Sequence, residues 1–364
     1  MTDKQNNVST RFAYTILAWF AENGRQLPWR NTNDPYAIWL SEIILQQTRI
    51  VQGMDYWQRF MQRFPTVQQL AAASEDEVLK LWQGLGYYSR ARNLLAAARQ
   101  IVQHGAFPDT YEEIRKLKGV GPYTAAAIGS IAFHLPVAVV DGNVYRVLSR
   151  YFGISTPIDS AQGKKEFADL AQQLLPVNHA SAYNQGMMDF GAIQCTPTAP
   201  QCLLCPLSSS CLALSEGTVA QLPVKQKTLK PVTQYLTYVY LRCGRQVAIR
   251  KRGKGDIWQG LFELYNASVH MAEKPASAAE VVEQLHLPPS TYQLKLVVQG
   301  VKHVLTHRVL LADCYLMELK QQPALPPDYV WVDEDSLEDY GISRLMEILI
   351  ERCQHDIQLR DERE

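Results

Sequence analysis

Apolar residues recur at three- and four-residue spacing through most of the first 214 positions, the period of helices that bury one face. The pattern predicts helices over 12–20, 36–46, 55–64, 75–82, 91–102 and 123–133, so this half reads as all-α. Beyond residue 234 the period shortens to two. Strands are predicted over 235–241, 246–249, 294–298, 307–317 and 330–332, with helices near 276–285 and 342–354, an α+β pattern. Between the halves lies TVAQLPVKQKTLKPVTQ, where Pro223 and Pro231 favour an extended linker. Its Lys225, Lys227 and Lys230 read as solvated side chains or as a strap for phosphates. The expected organisation is a helical region over 1–216, a linker over 217–233 and a second domain over 234–364.

With 364 residues and 47% hydrophobic content, the chain is long enough for two or three domains with separate cores. The longest apolar stretch, 125–140, is interrupted by His134 and Pro136, and the N-terminus lacks the charged-then-apolar layout of a secretory signal. A cytoplasmic protein without a membrane span is expected. The 36 basic and 36 acidic residues cancel, which argues against a polyanion-coating protein but leaves room for a local basic surface. Residues 1–227 are mildly basic, with 20 Lys and Arg against 17 Asp and Glu.

Four cysteines, Cys195, Cys202, Cys205 and Cys211, form the run C-x6-C-x2-C-x5-C. Disulfides suit small secreted chains, and structural zinc usually takes two close cysteine pairs with a longer gap between them. A [4Fe-4S] cluster fits the spacing best, because it needs four thiolates from a loop that wraps it, and Pro197, Pro200 and Pro206 oppose helix there. The scattered Cys243, Cys314 and Cys353 read as small buried apolar residues.

The segment 117–124, LKGVGPYT, has its own logic. Gly119 and Gly121 permit left-handed backbone in a tight turn, and Pro122 suits a first helical position. The amides of such a helix start can meet a nucleic-acid phosphate, as in a helix-hairpin-helix motif. Downstream, the apolar run 137–140 presents Asp141 beside Gly142, as an N-cap or as a carboxylate facing a flipped nucleotide, where it can stabilise a sugar cation. Glu42 falls on a largely apolar helix face among Ile38, Trp39 and Leu45. Desolvation there raises its pKa and suits a general acid, the alternative being a salt-bridged helix glutamate.

The segments LPWR (27–30), SEIILQQTRI (41–50), GLGYYSRARNL (84–94), LKGVGPYTAAAI (117–128), VDGNVYRVLSR (140–150) and YNQGMMDFGAIQC (183–195), with the four-cysteine loop, closely resemble the adenine DNA glycosylase (MutY) family over residues of about 10 to 225. The resemblance implies a helix-hairpin-helix glycosylase with a [4Fe-4S] cluster, followed by a Nudix-like domain that reads 8-oxoguanine. It implies a monomer acting on duplex DNA that carries A:8-oxoguanine or A:G mispairs. By the same match Glu42 protonates adenine at N7, Asp141 stabilises the oxocarbenium ion, and Asn143 partners Asp141. Arg25, Trp29, Leu45 and Gln185 resemble adenine-pocket residues. Gln47, Thr48, Leu85 and Tyr87 resemble the group that enters the duplex. Bifunctional relatives carry a Schiff-base lysine where this chain has Tyr123, so Tyr123 is expected to contact the pocket or Asp141 in a monofunctional enzyme.

In the second half, IWQGLFELY (257–265) resembles the family's tryptophan-containing strand, and His303 to His307 occupies its Phe-Ser-His loop. Leu305 replaces the phenylalanine and Thr306 the serine; Thr306 and His307 are the expected lesion contacts, with a hydroxyl retained. The acidic REXXEEXG core that would hold magnesium is missing from 253–287, so the domain is expected to bind without hydrolysing a pyrophosphate.

Overall fold

The structure, a computed structural model, describes residues 3–226, 231–268 and 273–362; Lys227 and Lys230 of the linker lie outside these. The chain packs as two units, one of Met1–Ala72 with Asn93–Thr228, the other of Ala73–Arg92 with Leu229–Glu364.

Helices run α1 (Asp3–Asn23), α2 (Pro35–Leu45), α3 (Ile50–Arg63), α4 (Val67–Ala72), α5 (Glu75–Trp82), α6 (Ser89–His104), α7 (Tyr111–Ile114), α8 (Pro122–Ala132), α9 (Gly142–Phe152), α10 (Ala161–Leu174), α11 (Ala180–Asp189) and α12 (Leu212–Ser215). Local chemistry sets their ends. The helix expected from 36 starts at Pro35, because the Asp34 side chain accepts from Tyr36 N–H and proline tolerates the first turn. In the same way α8 starts at Pro122. Residues 36–44 of α2 are all buried, so this helix is central to its unit and not amphipathic. Phe12, Ile16, Val147, Leu148, Phe167 and Phe190 belong to one core cluster of the first unit, each buried side chain contributing about 1.5–3 kcal/mol.

In the second unit the strands β1 (Val232–Cys243), β2 (Gln246–Lys251), β3 (Phe262–Asn266), β4 (Tyr292–Val304), β5 (Arg308–Leu319) and β6 (Tyr329–Asp333) form a six-stranded sheet ordered β4-β5-β1-β3-β2-β6. β1 and β5 pair in parallel; the other ladders are antiparallel. Helices α13 (Ala278–Leu285) and α14 (Arg344–Asp361) complete it. The tryptophan expected within a strand lies outside one. Trp258 occupies a turn closed by Leu261 N–H to Trp258 O, and β3 begins at Phe262. Cys314 and Cys353, far apart in sequence, are both fully buried with their sulfurs 3.7 Å apart, while Cys243 is only half-buried. Among the described residues no helix is long and apolar enough to cross a membrane.

Candidate active site

Glu42 lies in the middle of α2 and is 8% exposed. Its Oε2 accepts a hydrogen bond of 2.9 Å from the Tyr123 hydroxyl, which belongs to the first turn of α8. Burial pushes the Glu42 carboxyl up to about 7, the Tyr123 bond opposes this, the Asp141 charge adds to it, and Arg30 pulls it back. The Tyr123 hydroxyl is likewise raised well above its ordinary value by burial and by both carboxylates. Of the two contacts open to Tyr123, the hydrogen bond goes to Glu42, with the Met188 sulfur 3.7 Å away.

Asp141 is the N-cap of α9, with Oδ1 accepting from Val144 N–H at 2.8 Å. Its Oδ2 accepts from Asn143 Nδ2 at 2.7 Å. Capping and the field at Glu42 therefore coexist in one carboxylate. Burial raises the Asp141 carboxyl, while the Val144 and Asn143 donors and the Arg146 charge work against that rise. Arg146 was not singled out by the sequence pattern. Its guanidinium donates to Asn143 Oδ1 (2.8 Å), Gly191 O (2.6 Å) and Cys195 O (2.7 Å), so it fixes the residue that holds Asp141. Gly191 is needed there, because a Cβ would stand 2.6 Å from Asn143 Cβ.

Asp189, also unflagged, is completely buried and accepts from Arg25 (N 3.0 Å, Nε 2.9 Å) and Arg30 (Nη1 2.7 Å, Nη2 2.9 Å). Burial alone would raise its carboxyl, but hydrogen bonds from Arg30 and Arg25 hold it below the usual range. A charge inside the otherwise apolar run MMDFG is the signal that would have found it. Asp189→Asn is expected to destabilise the protein by about 3 kcal/mol, since two guanidinium groups lose their counter-charge. Urea unfolding at neutral pH checks this. Because the folded pKa is depressed, the contribution is present above the unfolded value of 3.8 and fades as pH falls through the folded one, so parent and variant should converge in acid.

The other candidates each have their own surroundings. Trp29 is buried, edge-on to Trp57 with ring centroids 5.6 Å apart. Leu45 ends α2, and its Cδ2 would stand 2.6 Å from a Cβ at Gly53. Arg25 is committed to Asp189, and Gln185 Nε2 bonds Ser181 Oγ at 3.2 Å. Gly119 is left-handed (φ 78°), and a Cβ there would meet Asn93 Cβ at 2.7 Å. Gly121 differs from expectation: as N-cap of α8 it is extended (φ −90°, ψ 178°), so it contributes an open approach and not a special turn angle. Gln47 and Tyr87 are non-glycine residues at φ 56° and 48°, strained backbone of the kind that collects at functional positions. Thr48 closes the turn after α2 through its N–H to Leu45 O at 3.1 Å.

Within the second unit, Leu85 is buried, whereas Tyr87 is 49% exposed and its hydroxyl meets Thr306 Oγ1 at 2.7 Å. Residues 86–89, Ile257, Trp258 and 303–308 line a cavity of about 500 Å³. Thr306 and His307 are exposed in the β4–β5 turn, which Leu305 N–H closes onto Arg308 O.

The four cysteines line one small cavity with Arg150. A π-helical turn, Phe190–Gln194, delivers Cys195, and 3-10 turns carry Cys202–Leu204 and Ser208–Ser210, so the prolines leave short turns but no α-helix before α12. Among the described residues no three His, Cys, Asp or Glu side chains are placed to hold a single ion. Four thiols lining one cavity are the donor set that a thiolate-held cluster takes. Arg150 Nη1 donates to Cys195 Sγ at 3.4 Å and its other N–H groups to Thr196, Pro197, Val219 and Leu222 carbonyls, stitching the loop to the segment after it.

Residues 40–176 match the HhH-GPD superfamily of base excision DNA repair proteins, and residues 237–352 match the NUDIX domain. The adenine DNA glycosylase of Buchnera aphidicola subsp. Baizongia pistaciae is 38% identical over 256 residues, which cover 69% of this chain and 72% of that one. The chain belongs to the adenine DNA glycosylase family. Another member of this family, from Homo sapiens, is 43% identical over 215 residues, covering 56% of this chain and 39% of its own. A solved thermostable thymine-DNA glycosylase is 33% identical with a TM-score of 0.55, covering 59% of this chain and all of that one. An endonuclease III trapped on DNA, at 23% identity and TM-score 0.51 over 60% of this chain and 99% of its own, shares the fold. Within the adenine DNA glycosylase family, then, the buried Glu42–Tyr123 pair and the capped Asp141 stand in the HhH-GPD portion, and the Thr306 turn in the NUDIX portion.

Proposed function

We propose that the protein is a monofunctional DNA glycosylase that hydrolyses the N-glycosidic bond of adenine mispaired with 8-oxoguanine or guanine in duplex DNA. The observation that carries this reading is a buried glutamic acid, hydrogen-bonded by Tyr123, whose pKa is pushed up to about 7 by that burial, near a carboxylate that accepts from Val144 and Asn143. Burial raises the Asp141 carboxyl, but the bonds from Val144 N–H and the Asn143 amide favour its ionised form, and in this reading Asp141 is the charged partner. Its charge then keeps the Glu42 proton in place. Glu42 can thus donate to a purine nitrogen as the base leaves, while Asp141 offsets the positive charge that develops on the sugar. Water then adds to the sugar carbon and gives up a proton, which Glu42, now a carboxylate, can accept, restoring the acid for the next cycle. Extrusion of the adenine would be compensated by side chains that enter the duplex, for which Gln47 and Thr48, and separately Leu85 and Tyr87, are the candidates.

The region 1–216 carries the chemistry in this reading and 234–364 reads the opposite base through Thr306 and His307. Gly119 and the open amides at Gly121 hold a backbone phosphate. Cys195, Cys202, Cys205 and Cys211 hold a [4Fe-4S] cluster, which when bound pins the loop after α11 and takes no part in bond breaking. The arginines do the rest: Arg150 ties that loop to residues 219–222, and Arg146 orients Asn143.

A single-turnover assay on duplex with A opposite 8-oxoguanine should release free adenine and leave an unbroken strand with one abasic site. Borohydride should trap no stoichiometric enzyme–DNA adduct, because Tyr123 has no amine to form a Schiff base. Absence of free adenine from cluster-loaded protein would end the proposal.

A further inference from the structure

The turn that carries Trp258 is built around a buried arginine. Arg252, whose side chain is 8% exposed, grips both oxygens of Asp256 (Nε to Oδ1 2.7 Å, Nη2 to Oδ2 2.8 Å). Its Nη1 reaches the Tyr238 hydroxyl at 3.1 Å and pairs with Glu263, which is itself buried. Asp256 Oδ1 in turn accepts from Trp258 N–H at 2.8 Å, and the guanidinium carbon lies 5.1 Å from the Trp258 ring centroid. Gly260 N–H to Arg252 O and Arg252 N–H to Leu261 O close the turn at its base. Arg92 Nη1 to Gln259 O, at 2.6 Å, ties its far side to the 85–92 segment. The indole is 5% exposed and meets the His303 imidazole edge-on, with centroids 5.7 Å apart. Trp258 and His303 both line the 500 Å³ cavity that also holds Thr306.

A protein that needed only a stable turn would not bury a cation with two carboxylates against it, since such a cluster rarely stabilises more than an apolar packing would. A guanidinium locked by a bidentate carboxylate and stacked on an indole is, however, an effective way to fix a ring in one orientation. We propose that Arg252, held by Asp256 and Glu263, is a positioning residue that fixes Trp258, and through it His303, as a rigid wall of a preformed pocket for the oxidised purine opposite the adenine. This rests on the reading that the second unit recognises 8-oxoguanine. Burial lowers the pKa of His303, so the imidazole at that wall is neutral and has one donor and one acceptor nitrogen. It can meet a purine edge without charge.

The test uses the full-length, cluster-loaded protein and two variants, Asp256→Asn, which loosens the grip on Arg252, and Trp258→Phe, which shortens the ring. Single-turnover adenine release is measured on A:8-oxoguanine and A:G duplexes, alongside the thermal midpoint and the His303 titration by NMR. The expected result is that the preference for 8-oxoguanine over guanine falls about ten- to a hundredfold, as for a contact displaced by about an ångström. The A:8-oxoguanine rate should fall further than the A:G rate, and the His303 pKa should move toward its ordinary value as the imidazole gains solvent. Equal slowing on both duplexes, or an unchanged preference in the folded variants, would overturn the positioning role. If one variant does not fold, the other decides. A parent protein that treats the two duplexes alike would instead refute the lesion-reading assignment itself, and the inference with it.

Discussion

Glu42→Gln is expected to slow adenine release by about 10²–10⁴-fold, the usual contribution of a general acid, while binding of the mispaired duplex is retained. Glutamine keeps the size and an amide oxygen that can accept from the Tyr123 hydroxyl, but has no proton to give a departing base. The same substitution should stabilise the fold above neutral pH. Between the ordinary value of 4.5 and about 7 the folded protein holds a proton that the unfolded chain has released, so stability falls as pH rises through that window. The gap corresponds to about 3 kcal/mol, and glutamine removes it. Urea unfolding at pH 8 and single-turnover rates on one preparation read both effects. The parent rate should fall about tenfold per pH unit above about 7, and the variant's residual rate should lose that limb. A variant that is no more stable at pH 8 and still releases adenine with the parental alkaline limb would show that Glu42 is not the acid.

Asp141→Asn should be the second large loss, about 10²–10⁴-fold in rate, comparable to removing a preorganised charge partner from a transition state. Asparagine still offers an oxygen to Val144 N–H, so α9 keeps its cap and the thermal midpoint should move little. What it loses is the negative charge. It also turns an amide donor toward Asn143 Nδ2, which now donates to Oδ2 at 2.7 Å, so the Asn143 and Arg146 chain must rearrange. Without that charge Glu42 should titrate lower, because Asp141 is one of the causes that raise it. The alkaline limb of the residual activity should therefore shift to lower pH. An unshifted limb with a full rate would remove Asp141 from the site.

Much of this site was legible because it is written locally. The apolar neighbours of Glu42, the Gly-Val-Gly-Pro turn and the four-cysteine run each lie within a few residues, where helical period and turn chemistry speak directly. The resemblance to a family then supplied roles that no spacing encodes. What sequence did not show is what only packing makes. Arg146 and Arg150 stand one turn apart on α9, and their partners come from 142–143, 191, 195–197, 219 and 222. Asp189 gains meaning from arginines about 160 positions earlier. The Trp258 strand was misplaced for a related reason: Asp256 caps the turn and left-handed Gly260 breaks the run, so the alternating pattern only begins to pair at Phe262.

The intervening stretch 73–92 packs with a region that the chain reaches only from Leu229 onward. Leu79 lies under Gly260, Lys80 Nζ reaches Tyr340 O, and Gln83 bonds Glu347. Severing the polypeptide anywhere in 217–233 therefore cannot yield two self-sufficient halves. The N-terminal piece would keep Glu42 and Asp141 yet strip the cover from Leu79 and the support from Tyr87, so in the proposed reading damage discrimination should fade before bond breaking does. A clean genetic dissection would have to transplant this inserted arm together with the C-terminal sheet.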